Sequence, residues 1–568
     1  MDNKIHLNTS SWLYNVGMLG MYNILKLKNG NVDETDQGFS FDLQDLENFE
    51  EYYFKYLIDK YKKTLSITKI TSFENVILHW ENEDYKNFTE KSLETLNNQI
   101  VDVKRYIKSN SYKSAYVLVD SEIKPLEKEK DLKKVNIKKK ENIEDKIEEI
   151  KEQVKKLKDI INYFNLDDSV KYIGAKNVIY TYIRNAWDGV SILNRQNKNP
   201  DMYDEISNYF IKPAMEYLRG YESEKSRYKY SCMSCNSRIK NLENDIGFIR
   251  EMGFDVNRKT SHVYDFNNYV GICPMCKLVY SCIPAGFTYA FNRGVFVNYS
   301  SNFKILRKIN KNIENEILKD NRQSTSVYGA IQKSMDKKFN DETKFELSDI
   351  QVVRYFRDLD SDKVTYSFNI ISRQTQKVIK DSRIDLDFIR STSFDDGNLT
   401  IYIYNEVMKN LFNNQNNFLL THKMLHYKLS NPDKTRFNYE TVYSVIKIND
   451  KYLREVGYMK DSKSSGYLHY ARKSGESLRG AYIKMGSEKR LEGVAYRMLN
   501  ALKTSNKHAF MDTLLNSSMY ANQIINQIFS SSMEDDLKFK NAGYAFITGL
   551  LGTNKIDEKQ LDKGEENE

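Results

Sequence analysis

Two Cys-x-x-Cys pairs, Cys232 with Cys235 and Cys273 with Cys276, constrain the middle of this 568-residue chain more than any other feature. Two intervening residues allow a tight turn to direct both thiols of a pair at one point. Four such thiolates are the ligand set of a tetrahedral structural zinc site. The alternative is four reduced cysteines packed as small apolar residues. Because the pairs use four of only five cysteines, the pattern favours a bound Zn²⁺.

The linker between the pairs, residues 236–272, is longer than the roughly 15–20 residues of a compact zinc ribbon. It has room for a small subdomain. His262 within it and Cys282 after the second pair are alternative ligands. A site with four sulfur ligands leaves no coordination position open, so the ion would be structural and not catalytic. Its binding energy, on the order of 10 kcal/mol in small zinc modules, would contribute to folding.

Basic residues surround the first pair, and tyrosines stand between them. Such interleaving suits a nucleic-acid surface, although a solvated rim would have the same composition. The candidate nucleic-acid-binding residues here are Arg227, Lys229, Arg238 and Lys240.

A second basic segment lies near the C-terminus. Residues 467–507 carry nine Lys and Arg against three Glu. A helical bundle with a basic face would account for this excess, and contact with a phosphate backbone is the functional reading that we favour. The candidate residues are Arg472, Lys473, Arg479, Lys484, Lys489, Arg490 and Arg497.

Apolar periodicity predicts an α+β, multidomain fold. A seam of isoleucine, valine and leucine at heptad spacing over 143–161, in a stretch dense in Lys and Glu, predicts a protruding helical hairpin or linker. We expect Gly17 and Gly20 to permit close packing of an N-terminal helix. The predicted parts are a mixed N-terminal domain (1–225) with a charged helical insertion at about 122–161, a zinc-binding module (226–285), a mixed strand and helix region (286–458), a helical bundle (459–552) and a disordered acidic tail (553–568).

Bulk properties place few limits on function. The net charge of +8 is small for this length, so basicity alone does not identify a partner. Cysteines confined largely to Cys-x-x-Cys pairs point to a reducing compartment. We expect a cytoplasmic protein with no membrane partner, because no secretory signal is visible and the apolar stretch 543–552 is too short to span a bilayer.

No catalytic motif is complete. The chain has no nucleotide-binding P-loop, and His422 and His426 lack the glutamate of a metalloprotease helix. The acidic residues at 358, 360 and 362 lack the glycine and the final glutamate of a calcium loop. We therefore predict that the chain is not an enzyme.

Several segments together resemble one protein family. They are the Trp12–Gly20 opening, Asn185–Leu193 (NAWDGVSIL), the two cysteine pairs, Val295–Ser300 (VFVNYS) and the helical C-terminal part. In this order they resemble the CXXC–CXXC large subunit of the type I-B CRISPR interference complex, Cascade. The likeness covers most of the chain, although only the cysteine pairs are rigid motifs.

The resemblance implies a non-catalytic subunit that contacts the CRISPR guide RNA and the target double-stranded DNA. It would probe the protospacer-adjacent motif, stabilise the R-loop, assemble with the backbone and other subunits, and help to recruit a helicase–nuclease effector. Related type I-B genes also yield the helical C-terminal part as a separate small subunit from an internal start, and our hypothesis is that Met459 or Met485, which lie near the change in composition, is such a start here. The residues alone leave two other functions open. One is a stand-alone zinc-ribbon regulator that binds nucleic acid, and the other is a metal hydrolase whose zinc has an open coordination position.

Overall fold

Two compact units make up the chain in a computed structural model. The first comprises residues 1–323 with 353–367, and the second comprises residues 324–352 with 368–568. Helices and strands occur together, which confirms the predicted α+β class, whereas the finer domain boundaries remain predictions. The structure describes residues 4–137, 141–220, 222–252, 270–290, 292–319, 329, 331, 350–358, 360–397, 399–459 and 466–552. The predicted tail, 553–568, lies outside them.

The first unit is mainly helical, with short strands. Its helices are Trp12–Leu27, Phe49–Tyr61, Ser66–Thr71, Glu74–Asn82, Glu90–Ile107, Asn110–Lys113, Pro125–Asp131, Ile147–Phe164, Gly174–Val178, Arg184–Ala186, Met202–Ile206, Lys212–Arg219, Glu222–Lys225, Pro274–Ser281, Ile283–Gly286 and Phe303–Lys319. Wider π-helical turns at Ser169–Ile173, Ile179–Ile183 and Ser207–Ile211 adjoin several of them.

Three sheets accompany these helices. Near the N-terminus Lys4–Asn8 pairs antiparallel with Gly38–Asp42, which pairs with Asp33–Glu34. Tyr230–Ser231 and Arg238–Ile239 form a two-stranded hairpin. The third sheet has four strands in the order Thr288–Ala290, Arg293–Asn298, Ile350–Arg357 and Val364–Ile371, and residues 353–357 and 364–367 of the last two strands belong to this unit.

The helix over the predicted heptad seam runs from Ile147 to Phe164. Instead of standing clear as a hairpin, it buries its apolar side, including Ile150, Val154 and Leu157, against the short helices between residues 66 and 82 and the helix 125–131. Its charged side carries ion pairs such as Lys156 with Glu152 and faces solvent, as expected of an amphipathic helix.

Helix Trp12–Leu27, which we call the first helix, is largely buried within the unit. A Cβ atom at Gly17 would stand 2.3 Å from the carbonyl oxygen of Val279, and one at Gly20 would stand 2.0 Å from that of Cys282. These glycines therefore permit close approach of another backbone, as predicted. The approaching backbone belongs to helix Pro274–Ser281, which we call the knuckle helix, and to the short helix Ile283–Gly286 that follows it.

The second unit combines a three-stranded sheet with helices. Ser393–Asp396 pairs antiparallel with Leu399–Tyr402 and with Thr435–Arg436. The helices are Arg373–Asp381, Arg383–Phe388, Ile403–Phe412, Phe418–Ser430, Tyr439–Glu455, Tyr467–Lys484, Arg490–Lys503, Lys507–Tyr520, Ile528–Ser531 and Asp536–Leu551. The predicted helical character of the C-terminal part is confirmed over 467–551.

Close helix contact also organises this unit. A Cβ atom at Gly475 would lie 2.1 Å from the carbonyl oxygen of Phe546, and one at Gly549 would lie 2.0 Å from that of Arg472. Helix 467–484 and helix 536–551 therefore pack backbone to backbone. Buried Asp450, on helix 439–455, accepts hydrogen bonds from Tyr467 and from Asn541, the latter at 3.4 Å, and so joins a third helix to this pair.

Candidate metal centre

The two cysteine pairs meet in space. The sulfur atoms of Cys232, Cys235, Cys273 and Cys276 all lie within 4.8 Å of one another, and those of Cys235 and Cys273 are 3.7 Å apart. Tetrahedral Zn²⁺ with bonds of about 2.3 Å places its sulfur ligands about 3.8 Å apart. The observed separations fit such an ion. Four cysteines thus form a cluster compatible with a bound metal such as zinc.

The first pair lies in the turn of the hairpin Tyr230–Ser231 and Arg238–Ile239. The backbone N–H of Cys232 donates to the carbonyl of Ser237 at 2.8 Å, and that of Asn236 donates to the carbonyl of Cys232 at 2.8 Å. Asn236 adopts a left-handed conformation with φ 61°, which asparagine tolerates well. The N–H of Ser234 lies 3.4 Å from the sulfur of Cys232. This turn directs both thiols to the same side.

The second pair begins the knuckle helix. Cys273 occupies the N-cap position, where its sulfur accepts a hydrogen bond from the backbone N–H of Cys276 at 3.3 Å. Pro274 takes the first helical position, where its missing N–H costs nothing. The positive end of the helix dipole therefore faces the cluster, and it favours negatively charged thiolates there.

Crowding of four thiols makes their protonation interdependent. Hydrogen bonds from the thiols of Cys232, Cys273 and Cys276 hold the pKa of Cys235 well below its usual range. Bonds to the three other thiols, together with burial, raise the pKa of Cys276. Several thiolates cannot share one buried site without a compensating positive charge. The donor set therefore suits a divalent cation that binds soft ligands.

The alternative ligands differ in what the structure says of them. Cys282 is fully buried beside the knuckle helix but does not belong to the cluster, and burial raises the pKa of its thiol. His262 lies outside the described residues. The four cysteines of the paired motifs are thus the ligand set that the described residues provide.

Segments that are distant in sequence hold the knuckle helix in place. Its C-terminal carbonyl, at Ser281, accepts hydrogen bonds from the indole Nε1 of buried Trp187 at 3.1 Å and from the hydroxyl of Tyr53 at 2.9 Å. The Nδ2 of Asn15, on the first helix, donates to Asn298 at 2.9 Å. Residues from Trp12–Gly20, Asn185–Leu193 and Val295–Ser300 therefore belong to one packed region around the cluster.

The basic residues near the first pair are on the surface. Arg227, Lys229, Arg238 and Lys240 are all exposed. Lys229 lies over the ring of Tyr230, with 5.4 Å between its ammonium and the ring centroid. Within the described residues, no carboxylate pairs with Arg227, Arg238 or Lys240. Their charges are available to an anionic partner, while their binding of nucleic acid remains a prediction.

The basic residues of the second unit fall into two groups. Arg472 is mostly covered and pairs with Glu440 and with Glu476, and Arg479 is buried, bonded to the carbonyl of Gly552 and to Glu488. These two guanidinium groups connect parts of the unit. Lys473, Lys484, Lys489, Arg490 and Arg497 are exposed, although Lys473 pairs with Glu476 at 2.7 Å.

One of these exposed cations, Arg490, has an aromatic neighbour that the sequence did not indicate. The guanidinium of Arg490 lies 5.1 Å from the ring centroid of Tyr520, and the Tyr520 hydroxyl is 3.0 Å from the side-chain oxygen of Ser487. Met519 beside it is also exposed. Tyr520 belongs to a different helix, so its proximity to Arg490 could only come from the fold.

Comparison with known proteins agrees with the resemblance at the cysteine cluster. A family model described as a CRISPR-associated protein, Cas_CXXC_CXXC, matches residues 225–288, which include both cysteine pairs and the knuckle helix. Over this segment the resemblance to the CXXC–CXXC family is confirmed, and the type I-B subtype remains a prediction. No curated protein and no solved structure matches the chain. Among the described residues, every helix is too short or too polar to cross a bilayer.

Proposed function

We propose that this chain is a non-catalytic, nucleic-acid-contacting subunit of a type I CRISPR interference complex. In this role the four cysteines hold a structural Zn²⁺, and the exposed cations contact the sugar–phosphate chains of guide RNA and target DNA. Probing of the adjacent motif, R-loop stabilisation, contact with the other subunits and recruitment of a helicase–nuclease belong to the same proposal. Guide pairing would supply sequence recognition, and the protein would supply backbone contacts and a short duplex check.

The observation that carries the proposal is the closed four-sulfur cluster within the segment that matches the CRISPR-associated family model. A metal held by four sulfurs has no position for a reacting water, so its contribution would be to fix the hairpin against the knuckle helix. That arrangement supports a rigid platform, and it disfavours the metal hydrolase.

Charge at the platform surface supports contact with an anion. Arg227, Arg238 and Lys240 extend from the hairpin and its approach without carboxylate partners among the described residues. Cations that are not neutralised within the protein contribute most to phosphate binding, because each one releases condensed counterions on contact. The second unit offers Lys484, Lys489, Arg490 and Arg497 in the same way.

The test is to isolate the tagged full-length chain from cells that carry its native gene neighbourhood and to sequence the RNA that remains bound. The proposal predicts repeat-derived guide RNAs and a fixed set of partner subunits. Recovery of a folded, zinc-containing chain without RNA or partners would refute it. If that lone chain binds duplex DNA tightly, the zinc-ribbon regulator is the correct alternative.

A triple variant separates the platform surface from general charge effects. Arg227→Ala with Arg238→Ala and Lys240→Ala should weaken DNA binding and lower the slope of its salt dependence by about 0.9 for each phosphate that is no longer neutralised. A matched variant, in which the exposed lysines Lys55, Lys91 and Lys113 on other helices of the same unit are changed to alanine, should retain the wild-type slope. Equal effects of the two variants would remove the hairpin from the interface.

A further inference from the structure

The two closely packed helices of the second unit run parallel. Near the start of helix 467–484, the ammonium of Lys538 lies 5.6 Å from the ring centroid of Tyr467. Toward its end, the guanidinium of Arg479 donates to the carbonyl of Gly552. The C-terminal helix therefore stops more than one turn before its neighbour does. The chain leaves the described residues at Gly552, which is extended and lies beside Arg479.

Exposed cations lie around this point. The carboxylate of Glu488 is 3.2 Å from the Arg479 guanidinium, which also holds the Gly552 carbonyl, so the turn after helix 467–484 lies next to Gly552. Lys484 is about 8 Å farther along the helix axis than Arg479. We call the exposed cations of this turn and of the helix that follows it the basic end: Lys484, Lys489, Arg490 and Arg497.

Little negative charge opposes the basic end. Among the described residues, no carboxylate pairs with its four cations. Glu488 is already paired. Glu492 is two residues from Arg490 on one helix, and side chains at that spacing do not face each other. An added Cβ at Gly493 would meet nothing within 4 Å, so the helix surface between Arg490 and Arg497 is uncovered. The basic end is therefore open to an anionic segment.

The sequence that follows Gly552 is acidic. Residues 553–568, which we call the acidic segment, contain six Asp and Glu against three Lys, and six minus three gives a net charge of −3. Their charge is thus opposite to that of the basic end. A chain of 16 residues can span up to about 50 Å, which is enough to bring its carboxylates to each of the four cations.

We propose that the acidic segment occupies the basic end of its own chain until nucleic acid displaces it. Covalent attachment favours this occupant, because a short tether gives an effective concentration on the order of mM without any partner. Duplex DNA carries about one negative charge per 1.7 Å of its axis, so it would compete with the segment at close range. The contact is independent of the proposed function, and its effect on nucleic-acid binding rests on that function.

The first test measures the contact in the full-length chain without nucleic acid. Zero-length carbodiimide crosslinking should join Lys484 or Lys489 to the acidic segment at about 50 mM salt and much less at about 1 M, where screening limits charge interactions to roughly 3 Å. In a neutral variant of the segment, acetylation of both lysines should be about threefold faster, the scale of a few exposed ion pairs. Exposed Lys434, beside the three-stranded sheet of the same unit, should react at an unchanged rate. The neutral variant consists of Asp557→Asn, Glu558→Gln, Asp562→Asn, Glu565→Gln, Glu566→Gln and Glu568→Gln.

The second test measures the competition with DNA. The neutral variant should bind duplex DNA about threefold more tightly than the wild type at low salt, as expected when a few exposed ion pairs are lost. A more acidic variant should bind DNA more weakly; it consists of Lys555→Gln, Lys559→Gln and Lys563→Gln. Both shifts should vanish when Lys484, Lys489 and Arg490 are alanine, because only a direct contact is coupled to those residues. A general effect of net charge would persist in that background.

The outcomes separate the contact from the proposed function. Crosslinks to the basic end, with DNA shifts that the alanine background abolishes, support the proposal. Equal acetylation of the wild type and the neutral variant refutes the contact and leaves the proposed function standing. Protection that persists in the neutral variant and rises with protein concentration would assign the surface to a second copy, which also refutes it. Crosslinks in a chain that binds no nucleic acid would uphold the contact and overturn the proposed function.

Discussion

Replacement of Gly20 by alanine tests whether close packing of the first helix against the segment that follows the knuckle helix stabilises the first unit. The added Cβ would stand 2.0 Å from the Cys282 carbonyl oxygen and 2.8 Å from the Gly286 nitrogen, both backbone atoms that cannot rotate away. Real Cβ atoms approach other heavy atoms no closer than 3.0 Å. The two backbones must therefore separate by about 1 Å, which removes a quarter to a half of each dispersion energy along the interface.

The magnitude follows from that separation. A buried side chain makes 40–60 atom-pair interactions of roughly 0.1–0.2 kcal/mol each, so partial loss equivalent to the interactions of one such side chain costs on the order of 3 kcal/mol. Alanine returns about 1 kcal/mol through its better helix propensity. The net loss, about 2 kcal/mol, corresponds to a fall of roughly 3 °C in the melting temperature of a unit of this size.

Tryptophan fluorescence is the appropriate assay because Trp12, Trp80 and Trp187 all lie in the first unit. Trp187 also donates to the end of the knuckle helix. The control is Gly480→Ala, in the second unit, where an added Cβ meets nothing within 4 Å; it should leave the fluorescence transition unchanged. A Gly20→Ala protein that melts within about 1 °C of the wild type would refute the packing argument.

Three further predictions follow from the second unit. Burial, together with the nearby Lys503 and His426, lowers the pKa of His422 to about 4. Because the unfolded chain binds this proton near pH 6.5, the free energy of unfolding should fall by up to about 3 kcal/mol as the pH drops from 6.5 to 4. His422→Leu should flatten that part of a pH–denaturation curve. A product that starts at Met485 lacks helix 467–484, the close partner of helix 536–551, and circular dichroism should show it to be unfolded. A product that starts at Met459 lacks Asp450 and should melt at a lower temperature than one that starts at residue 438. Equal stability of all three products would contradict the packing described for this unit. Alanine at Lys484, Lys489 and Arg490 should reduce the slope of the salt dependence of DNA binding with little change in stability. Arg479→Ala should instead lower the melting temperature, because this guanidinium is buried and ion-paired. The reverse pattern would contradict the division between exposed and structural cations.

The cysteine cluster was predictable because the chemistry of a soft cation imposes a short and recognisable spacing. The close-packing role of Gly17 and Gly20 was predictable for a similar reason, since a helical glycine is costly unless another backbone approaches it. In each case the local sequence contains the whole physical cause.

Features that depend on distant partners were not predictable. The heptad seam identified the apolar side of helix 147–164 but not the helices that cover it. Counting charges could not separate Arg479, which is buried against the carbonyl of Gly552, from Arg490, which is exposed.

The most direct test of the account is X-ray absorption at the zinc edge of the purified full-length chain, combined with metal analysis. We predict about one zinc per chain and a first coordination shell of four sulfur atoms at about 2.3 Å. Cys282→Ser should leave this spectrum unchanged, and Cys232→Ser should lose the metal or gain a lighter ligand. A folded chain that contains no zinc and whose thiols are all readily alkylated, or a shell with nitrogen or oxygen in the wild type, would contradict it.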